Sequence, residues 1–464
     1  MSIQHAVTVQ EIDVAIPVQA FRFEFMVVGR SDLSFIREFV LRLLKVGDMT
    51  SDQVAKFLGL SEKEIRVAIT QLNSLKEVTI DHDGRLRLSA ESLKYFENES
   101  ERPKVNSIFE RTHTFKFDLF SFDFIPSSQS TDHPFRAIKL QPEPAILSES
   151  TTYAKQAFLR SYLDLFEKES INFDGINSLH DVELYKLSDI RKTKDHHVRV
   201  TLKFSLDVER NTIERSCKNR LYDSNAITKK VNDYLFVSSE TNNIQSVAKA
   251  MEFFNDAISL DCLTSNGFDG TAYIIKLRSE SSVKSKTEHF IGALTLSDNW
   301  QRISKQIDSL FKKTLENKQV YKTIWLAPSD RYWIQSETTF NRIRDLKNLV
   351  KGTNFSLMVP VDGADDRYSI NSWRSQLGDL KEQSEKIHSG FLGGAVELII
   401  IPDHLAVVVY HLQRPNEPMS IPFGFITEDL AMVKKINDSY EAYLSGYSAS
   451  LESRYLGKLV QDIS

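Results

Sequence analysis

Apolar positions along this chain change their period several times, and each change marks an element. Between Ser31 and Gly47, the residues Phe35, Ile36, Phe39, Val40, Leu43 and Leu44 recur at helical spacing. They predict an amphipathic helix of about four turns, capped by Ser31 or Asp32 and ended by Gly47. A shorter helix follows, opened by Thr50 or Ser51, apolar at Val54, Phe57 and Leu58, and stopped at Gly59. Ser61-Glu62-Lys63-Glu64 then has the spacing of a capping box, in which serine and glutamate satisfy each other's free backbone N–H groups. The helix it opens turns Ile65, Ala68, Ile69 and Leu72 inward. Val78–Ile80 and Arg85–Leu88 alternate like strands, and the Asp-Gly step at Asp83-Gly84 suits a tight hairpin. A last helix, Ala90 to Glu97, is expected to bury Leu93 and Phe96.

Three helices followed by a two-stranded wing resemble a winged helix-turn-helix module over residues 31–99. In DNA-binding members of that motif the third helix enters the major groove and the wing lies along the backbone. The resemblance implies Lys63, Arg66 and Thr70 on the helix, with Arg85 and Arg87 on the wing, as nucleic-acid-binding residues. Residues Ser31 to Asn98 hold about as many acids as bases, however. A DNA reader draws most of its affinity from uncompensated cations, so docking to a protein stands open beside double-stranded DNA as the partner.

Beyond residue 99 the pattern becomes extended and aromatic. Thr114 to Phe124 alternates phenylalanine with charged and polar residues, predicting a half-buried strand; a base-stacking platform is the sharper alternative. Pro126 to Pro144 reads as a loop and Thr151 to about Ser170 as a helix. Val182 to Ile190 and Val198 to Val208 predict two strands, separated at Arg191-Lys192-Thr193-Lys194-Asp195-His196-His197 by a basic, solvated turn, with a phosphate-contacting loop as the alternative. Helices are expected at Ile244 to Ile258 and Trp300 to Leu315, and a strand at Gly270 to Leu277. Glu316 and Lys318 have a nuclease-like spacing but sit at a helix end. The last third alternates strand and helix: strands at Tyr321 to Ala327 and Asn354 to Val361, helices at Thr338 to Val350 and Ile370 to about Glu385, paired strands at Ala395 to Ile401 and Leu405 to Leu412, and a helix from Thr427. The expected division is an N-terminal extension (1–30), the winged helix (31–99), a β-rich middle (100–230), a mixed connecting region (231–319) and an α/β layered domain (320–464), a multidomain α+β protein.

The hairpin Val396-Glu397-Leu398-Ile399-Ile400-Ile401-Pro402-Asp403-His404-Leu405-Ala406-Val407-Val408-Val409 sets an aspartate between two apolar runs. With the order of elements around it, it resembles one lobe of the phospholipase D-like superfamily over roughly the last 140 residues. In that family the hairpin carries His-x-Lys and then Asp. Aligning Asp403 puts the family's histidine and lysine on Val396 and Leu398, or on Ala395 and Glu397, and starting from His388 puts Gly390 where lysine should be. None of these sets can attack phosphorus, so the resemblance implies a degenerate lobe with no catalytic residues. Winged helices bearing such lobes imply a bacterial origin, with phage defence as a setting.

Composition adds bounds. At 464 residues the chain exceeds one ordinary core. Its formal charge of −5 gives no global pull toward nucleic acid, so such binding needs a local basic patch. Two cysteines, Cys217 and Cys262, are too few for a thiolate zinc site and suit a reducing, cytoplasmic compartment. No signal segment and no apolar run long enough to span a bilayer is apparent. Walker A, His-Glu-x-x-His, Gly-x-Ser-x-Gly and paired Cys-x-x-Cys motifs are missing from the sequence. The glycine-rich Ser389 to Gly394 precedes a strand, the wrong side for a phosphate cradle, and reads as a flexible turn. Asp362, Asp365 and Asp366 read as a turn and helix cap before a cation site. Adjacent His196 and His197 on extended chain, and His404 and His411 seven apart on one strand arm, each point to opposite sides and make poor metal pairs. No cofactor or metal is expected. The expected function is a non-catalytic nucleic-acid-binding or scaffold subunit, and the alternative is a phosphodiesterase or nuclease of phospholipase D-like type with an atypical site.

Overall fold

Phe21, Phe23, Phe25 and Val27 alternate with Arg22, Glu24, Met26 and Val28, and they lie in a strand of 27 residues, β1 (Ala6–Asp32). The expected N-terminal extension is therefore largely strand, and period-two alternation was its available signal. The computed structural model describes residues 6–445 and 456, apart from 100–102, 132, 175, 177, 237–241, 265–266, 281–285, 318–320, 351–353, 363–365 and 389. It is a mixed α+β, multidomain arrangement that divides into two compact units. Unit 1 comprises 1–17, 131–141 and 197–464; unit 2 comprises 18–130 and 142–196. Lys318, Asp365 and Ser389, all singled out above, lie outside the described residues.

In unit 2, β1 leads into α1 (Phe35–Val46), β2 (Met49–Thr50), α2 (Ser51–Leu58), α3 (Glu62–Ser74), β3 (Val78–Ile80), β4 (Arg85–Leu88) and α4 (Ala90–Leu93). This is the element order expected from the sequence, with β2 completing a small sheet in the order β2-β4-β3. Helix α1 starts later than expected, at an N-cap Ser34, because Ser31 and Asp32 still belong to β1. Gly47 ends it as expected, while Thr50 and Ser61 both form complete capping boxes. The buried faces differ from the expected ones. Val40, Leu41 and Leu44 of α1, Val54 and Ala55 of α2, and Ile65 and Leu72 of α3 form the core, with Phe96 beneath them. Phe35, Phe57 and Leu93 face outward, because a small core between three short helices admits fewer large side chains than the sequence supplies.

The rest of unit 2 comprises β5 (Lys104–Asp118), β6 (Phe124–Ile125), α5 (Pro144–Lys168) and most of β8 (Val182–Asp207), with β7 (Ile138–Lys139) of unit 1 lying between them in sequence. Strand β5 pairs antiparallel with β1, Phe21 opposite Phe115 and Phe25 opposite Arg111. Helix α5 covers the phenylalanine face: Phe158 stacks on Phe23 at 4.7 Å and Phe166 on Phe25 at 5.0 Å. Phe115 and Phe117 are buried in the same cluster, which removes the base-stacking platform. The Thr114 to Phe124 strand is interrupted at Asp118, whose carboxylate accepts the backbone N–H groups of Phe120, Ser121 and Asp123 and folds the chain into a turn. The expected basic turn at 191–197 is likewise corrected, since β8 runs unbroken through it. Gln19 donates to Asp195 at 2.7 Å, Thr193 to the Ala20 carbonyl and Lys192 to the Leu147 carbonyl, so polar partners hold extended chain where composition suggested a loop.

Unit 1 is built on a seven-stranded mixed sheet. Ahead of it come β9 (Thr212–Cys217), paired with the end of β8, then α6 (Asn225–Phe236), α7 (Ile244–Phe254), α8 (Ala257–Leu260), a short pair β10 (Leu263–Thr264) and β11 (Gly267–Phe268), and α9 (Gly270–Glu280). The strand expected at Gly270 to Leu277 is a helix: Asp269 accepts from the Ala272 N–H at its start, and Tyr273 is buried with its hydroxyl donating to backbone carbonyls. Tertiary burial has overridden β-favouring side chains. The sheet strands are β12 (Thr287–Ile291), β13 (Lys322–Leu326), β14 (Asn354–Val361), β15 (Ser384–His388), β16 (Val396–Ile401), β17 (Leu405–Leu412) and β18 (Ile421–Thr427), in the order β12-β18-β17-β16-β13-β14-β15. They alternate with α10 (Ser297–Asn317), α11 (Glu337–Leu349) and α12 (Arg367–Leu377), and end on α13 (Leu430–Ser445). Strands β13, β14 and β15 are parallel and the others antiparallel. Strands β16, β17 and β18 are buried on both faces, which explains their continuous apolar runs. Strand β18 escaped the sequence reading because Pro422 and Gly424 interrupt its pattern. Among the described residues no helix is long and apolar enough to cross a membrane.

Candidate functional site

Strand β16 carries one acid in an otherwise apolar strand. Glu397 is 1% exposed, and burying a carboxylate is costly unless it is paired and hydrogen-bonded. Here it is both. Its Oε1 accepts from the indole N–H of Trp325 at 2.9 Å and of Trp333 at 2.8 Å, and its Oε2 lies 2.9 Å from His411 Nε2. His411, on β17, is 3% exposed, and its Nδ1 lies 3.2 Å from Asp330 Oδ2. Asp330 accepts in turn from the Ser420 hydroxyl and the Tyr332 backbone N–H. Burial alone would push the His411 pKa down, but the hydrogen bonds and charges of Asp330 and Glu397 outweigh it and raise it to about 9. Burial pushes the Asp330 carboxyl up, and the His411 contact reverses this and holds it below its ordinary value. The ring is thus an imidazolium donating from both nitrogens to carboxylates.

The backbone here is equally committed. The His411 N–H donates to the Ala395 carbonyl, while Asn243 donates from its side chain to the His411 carbonyl and accepts from the Gln413 N–H. Beside the network lies a cavity of about 350 Å³, with Asn243, Ser329, Arg331, Gly393, His411 and Gln413 among its lining residues. Gly393 and Gly394, at the end of the glycine-rich turn, form part of its wall. Leu392, Gly393 and Gly394 have positive φ, and a Cβ on Gly390 would meet the Gly394 Cα and the Ser329 hydroxyl at 2.6 Å.

Comparison with family profiles and with curated proteins finds no match to the chain. A solved structure does align. NucT from Helicobacter pylori covers 36% of this chain and 97% of its own, at 13% identity and a TM-score of 0.22. The superposition is too loose to carry fold or chemistry across. The hairpin singled out from the sequence is present, with Asp403 in its turn at φ 62°. Its Val396 and Leu398 are fully buried, and Glu397 is the acid that holds His411. His404 packs its ring edge-on against Tyr321 at 4.3 Å and has no part in the network. Asp366 caps α12, accepting from Tyr368 and Ser369, the role its sequence suggested. Among the described residues no group of three or more His, Cys, Asp and Glu side chains is arranged to hold a metal ion.

In unit 2 the five residues proposed from the winged-helix resemblance all lie at the surface. Lys63, Arg66 and Thr70 follow one another along α3, where Thr70 donates back to the Arg66 carbonyl and Arg66 lies 3.9 Å from Glu62. On the wing, Arg87 is held by Asp48 through two of its nitrogens, at 2.9 and 2.6 Å, whereas Arg85 makes no ion pair among the described residues. Sequence reasoning missed the grouping of Asp330, Glu397 and His411. Glu397 amid isoleucines was its signal; Asp330, on a loop far off in sequence, gave none.

Proposed function

We propose that this chain is a non-catalytic recognition or scaffold subunit, with unit 1 a stable platform and the helix–hairpin module of unit 2 a winged helix that engages a macromolecular partner. The observation that carries this is the double hold on His411. An imidazolium that donates from both nitrogens to buried carboxylates has no lone pair with which to attack phosphorus. The positions that the phospholipase D-like resemblance would fill with histidine and lysine offer no replacement. The test is hydrolysis of a bis(p-nitrophenyl) phosphate ester and of single- and double-stranded DNA, with and without divalent metal. We expect turnover no higher than that of a His411→Asn variant. Metal-independent cleavage lost on replacing His388, His404 or His411 would establish the phosphodiesterase alternative.

Double-stranded DNA is a second reading of the partner. It is supported by Lys63, Arg66, Thr70 and Arg85 standing exposed on the third helix and wing, where winged helices meet the groove and the backbone. Against it weighs the neutralisation of Arg87 by Asp48.

A further inference from the structure

Strand β15 stands at the end of the unit 1 sheet, paired in parallel with β14 along one side. The other side of an edge strand carries unanswered N–H and C=O groups, and an extended chain that reaches them can add to the sheet. Successive residues of a strand aim these groups to opposite sides, so those of Ser384 and Lys386 share one side. That side is the outer one, because the Ser384 carbonyl accepts from a residue outside the seven strands, the N–H of Leu456 at 3.0 Å.

Leu456 lies beyond α13, which ends at Ser445, yet it is 1% exposed. Its side chain joins the core cluster that holds Leu377 and Leu380. Its carbonyl accepts from Arg374 Nε of α12 at 2.6 Å. The residue is therefore gripped three ways, by a backbone acceptor on β15, by a guanidinium donor on α12 and by burial in the core. The acceptor is itself fixed, since the Ser384 hydroxyl donates to the Leu380 carbonyl at 2.7 Å. Arg374 makes no ion pair among the described residues, which leaves its charge directed at the Leu456 carbonyl. Two of these grips read backbone and one reads a side chain, the division by which sheet edges take extended peptides.

We infer that the outer edge of β15 is a strand-docking site and that its occupant is this chain's own C-terminal stretch, seated by Leu456. The stretch is a latch in cis. It covers an edge that would otherwise accept an extended, leucine-bearing peptide from another chain, with Lys386 offering the next backbone groups for pairing. The inference does not depend on whether the protein is catalytic, because Ser384, Arg374 and Leu456 stand outside the hydrogen bonds that hold His411.

Hydrogen exchange at the residue 456 amide of the full chain, compared with a free peptide of residues 450–464, tests the seat. Exchange is expected to be slower in the full chain by roughly tenfold or more, and to quicken in Arg374→Ala. The labelled peptide should bind the full-length Leu456→Asp variant, whose own latch is open, roughly tenfold more tightly than the wild-type chain. The same peptide carrying Leu456→Asp should bind neither. Leu456→Ala, which buries no charge, serves as the opened chain if Leu456→Asp does not fold. Three results overturn the inference: exchange at residue 456 as fast as in the free peptide, equal peptide binding by the wild-type and opened chains, or no binding to the opened chain. A wild-type dimer in light scattering that Leu456→Asp returns to monomer overturns it as well, by drawing Leu456 from a second copy.

Discussion

At the scale of single residues, the buried histidine ties stability to pH. His411 titrates near 6.5 when unfolded and at about 9 in the folded protein, so the folded state binds its proton more tightly. That stabilisation, on the order of 3 kcal/mol, is complete below the unfolded value and is lost as pH rises through about 9. We expect the melting temperature to fall between pH 7 and 10, and this fall to be shallower in His411→Asn. That variant should also be less stable at pH 7, because it removes the cation that holds the two buried carboxylates of Glu397 and Asp330 together. An equally steep decline in both proteins would place the alkaline sensitivity elsewhere.

Elements fail or hold at their ends and at their closest approaches. The capping box of α3 has the Glu64 N–H on the Ser61 hydroxyl at 3.3 Å and the Ser61 N–H on the Glu64 carboxylate at 2.8 Å. Ser61→Ala should therefore cost on the order of 1 kcal/mol, read from denaturant unfolding, and an unchanged midpoint would show that the cap is dispensable. The sheet of unit 1 has a harder constraint. A Cβ on Gly424 in β18 would lie 1.9 Å from the Val408 carbonyl oxygen of β17, a contact with backbone that no side-chain motion relieves. Gly424→Ala should cost at least about 3 kcal/mol or abolish soluble expression, whereas a loss below about 1 kcal/mol would mean that the two strands part easily.

For the whole molecule, a formal charge of −5 offers nucleic acid no general attraction, so any DNA binding must be local and its salt dependence shallow. Each phosphate contact contributes roughly 0.9 to the slope of log affinity against log salt. Because Arg87 is tied to Asp48 and Arg85 is not, the Arg85→Ala, Arg87→Ala double change should flatten that slope by roughly one contact and not two. A change near two contacts would show that Asp48 releases Arg87 on binding. No measurable affinity for a duplex at low salt would remove the DNA reading altogether.

The sequence by itself determined the elements whose signals are local. The capping box at Ser61, the Asp-Gly hairpin between β3 and β4, and the apolar runs of β13, β14, β16 and β17 are written in neighbouring residues, because caps and strand faces depend on spacings of two to four. What only the tertiary structure decided depends on partners far away in sequence. A helix replaced the strand expected at Gly270 because the Tyr273 hydroxyl reaches the carbonyls of Phe290 and Gly424. The basic stretch at Arg191 to His197 became the middle of β8 because β1 and α5 supplied its hydrogen bonds. Which apolar residues of α1, α2 and α3 enter the core and which stay exposed was settled by the space three short helices leave between them. The candidate site shows the same division. Glu397 was visible as an acid out of place, but its meaning rests on Trp325, Asp330 and Trp333, from β13 and the loop after it, and on His411 of β17, gathered by the order of strands in one sheet.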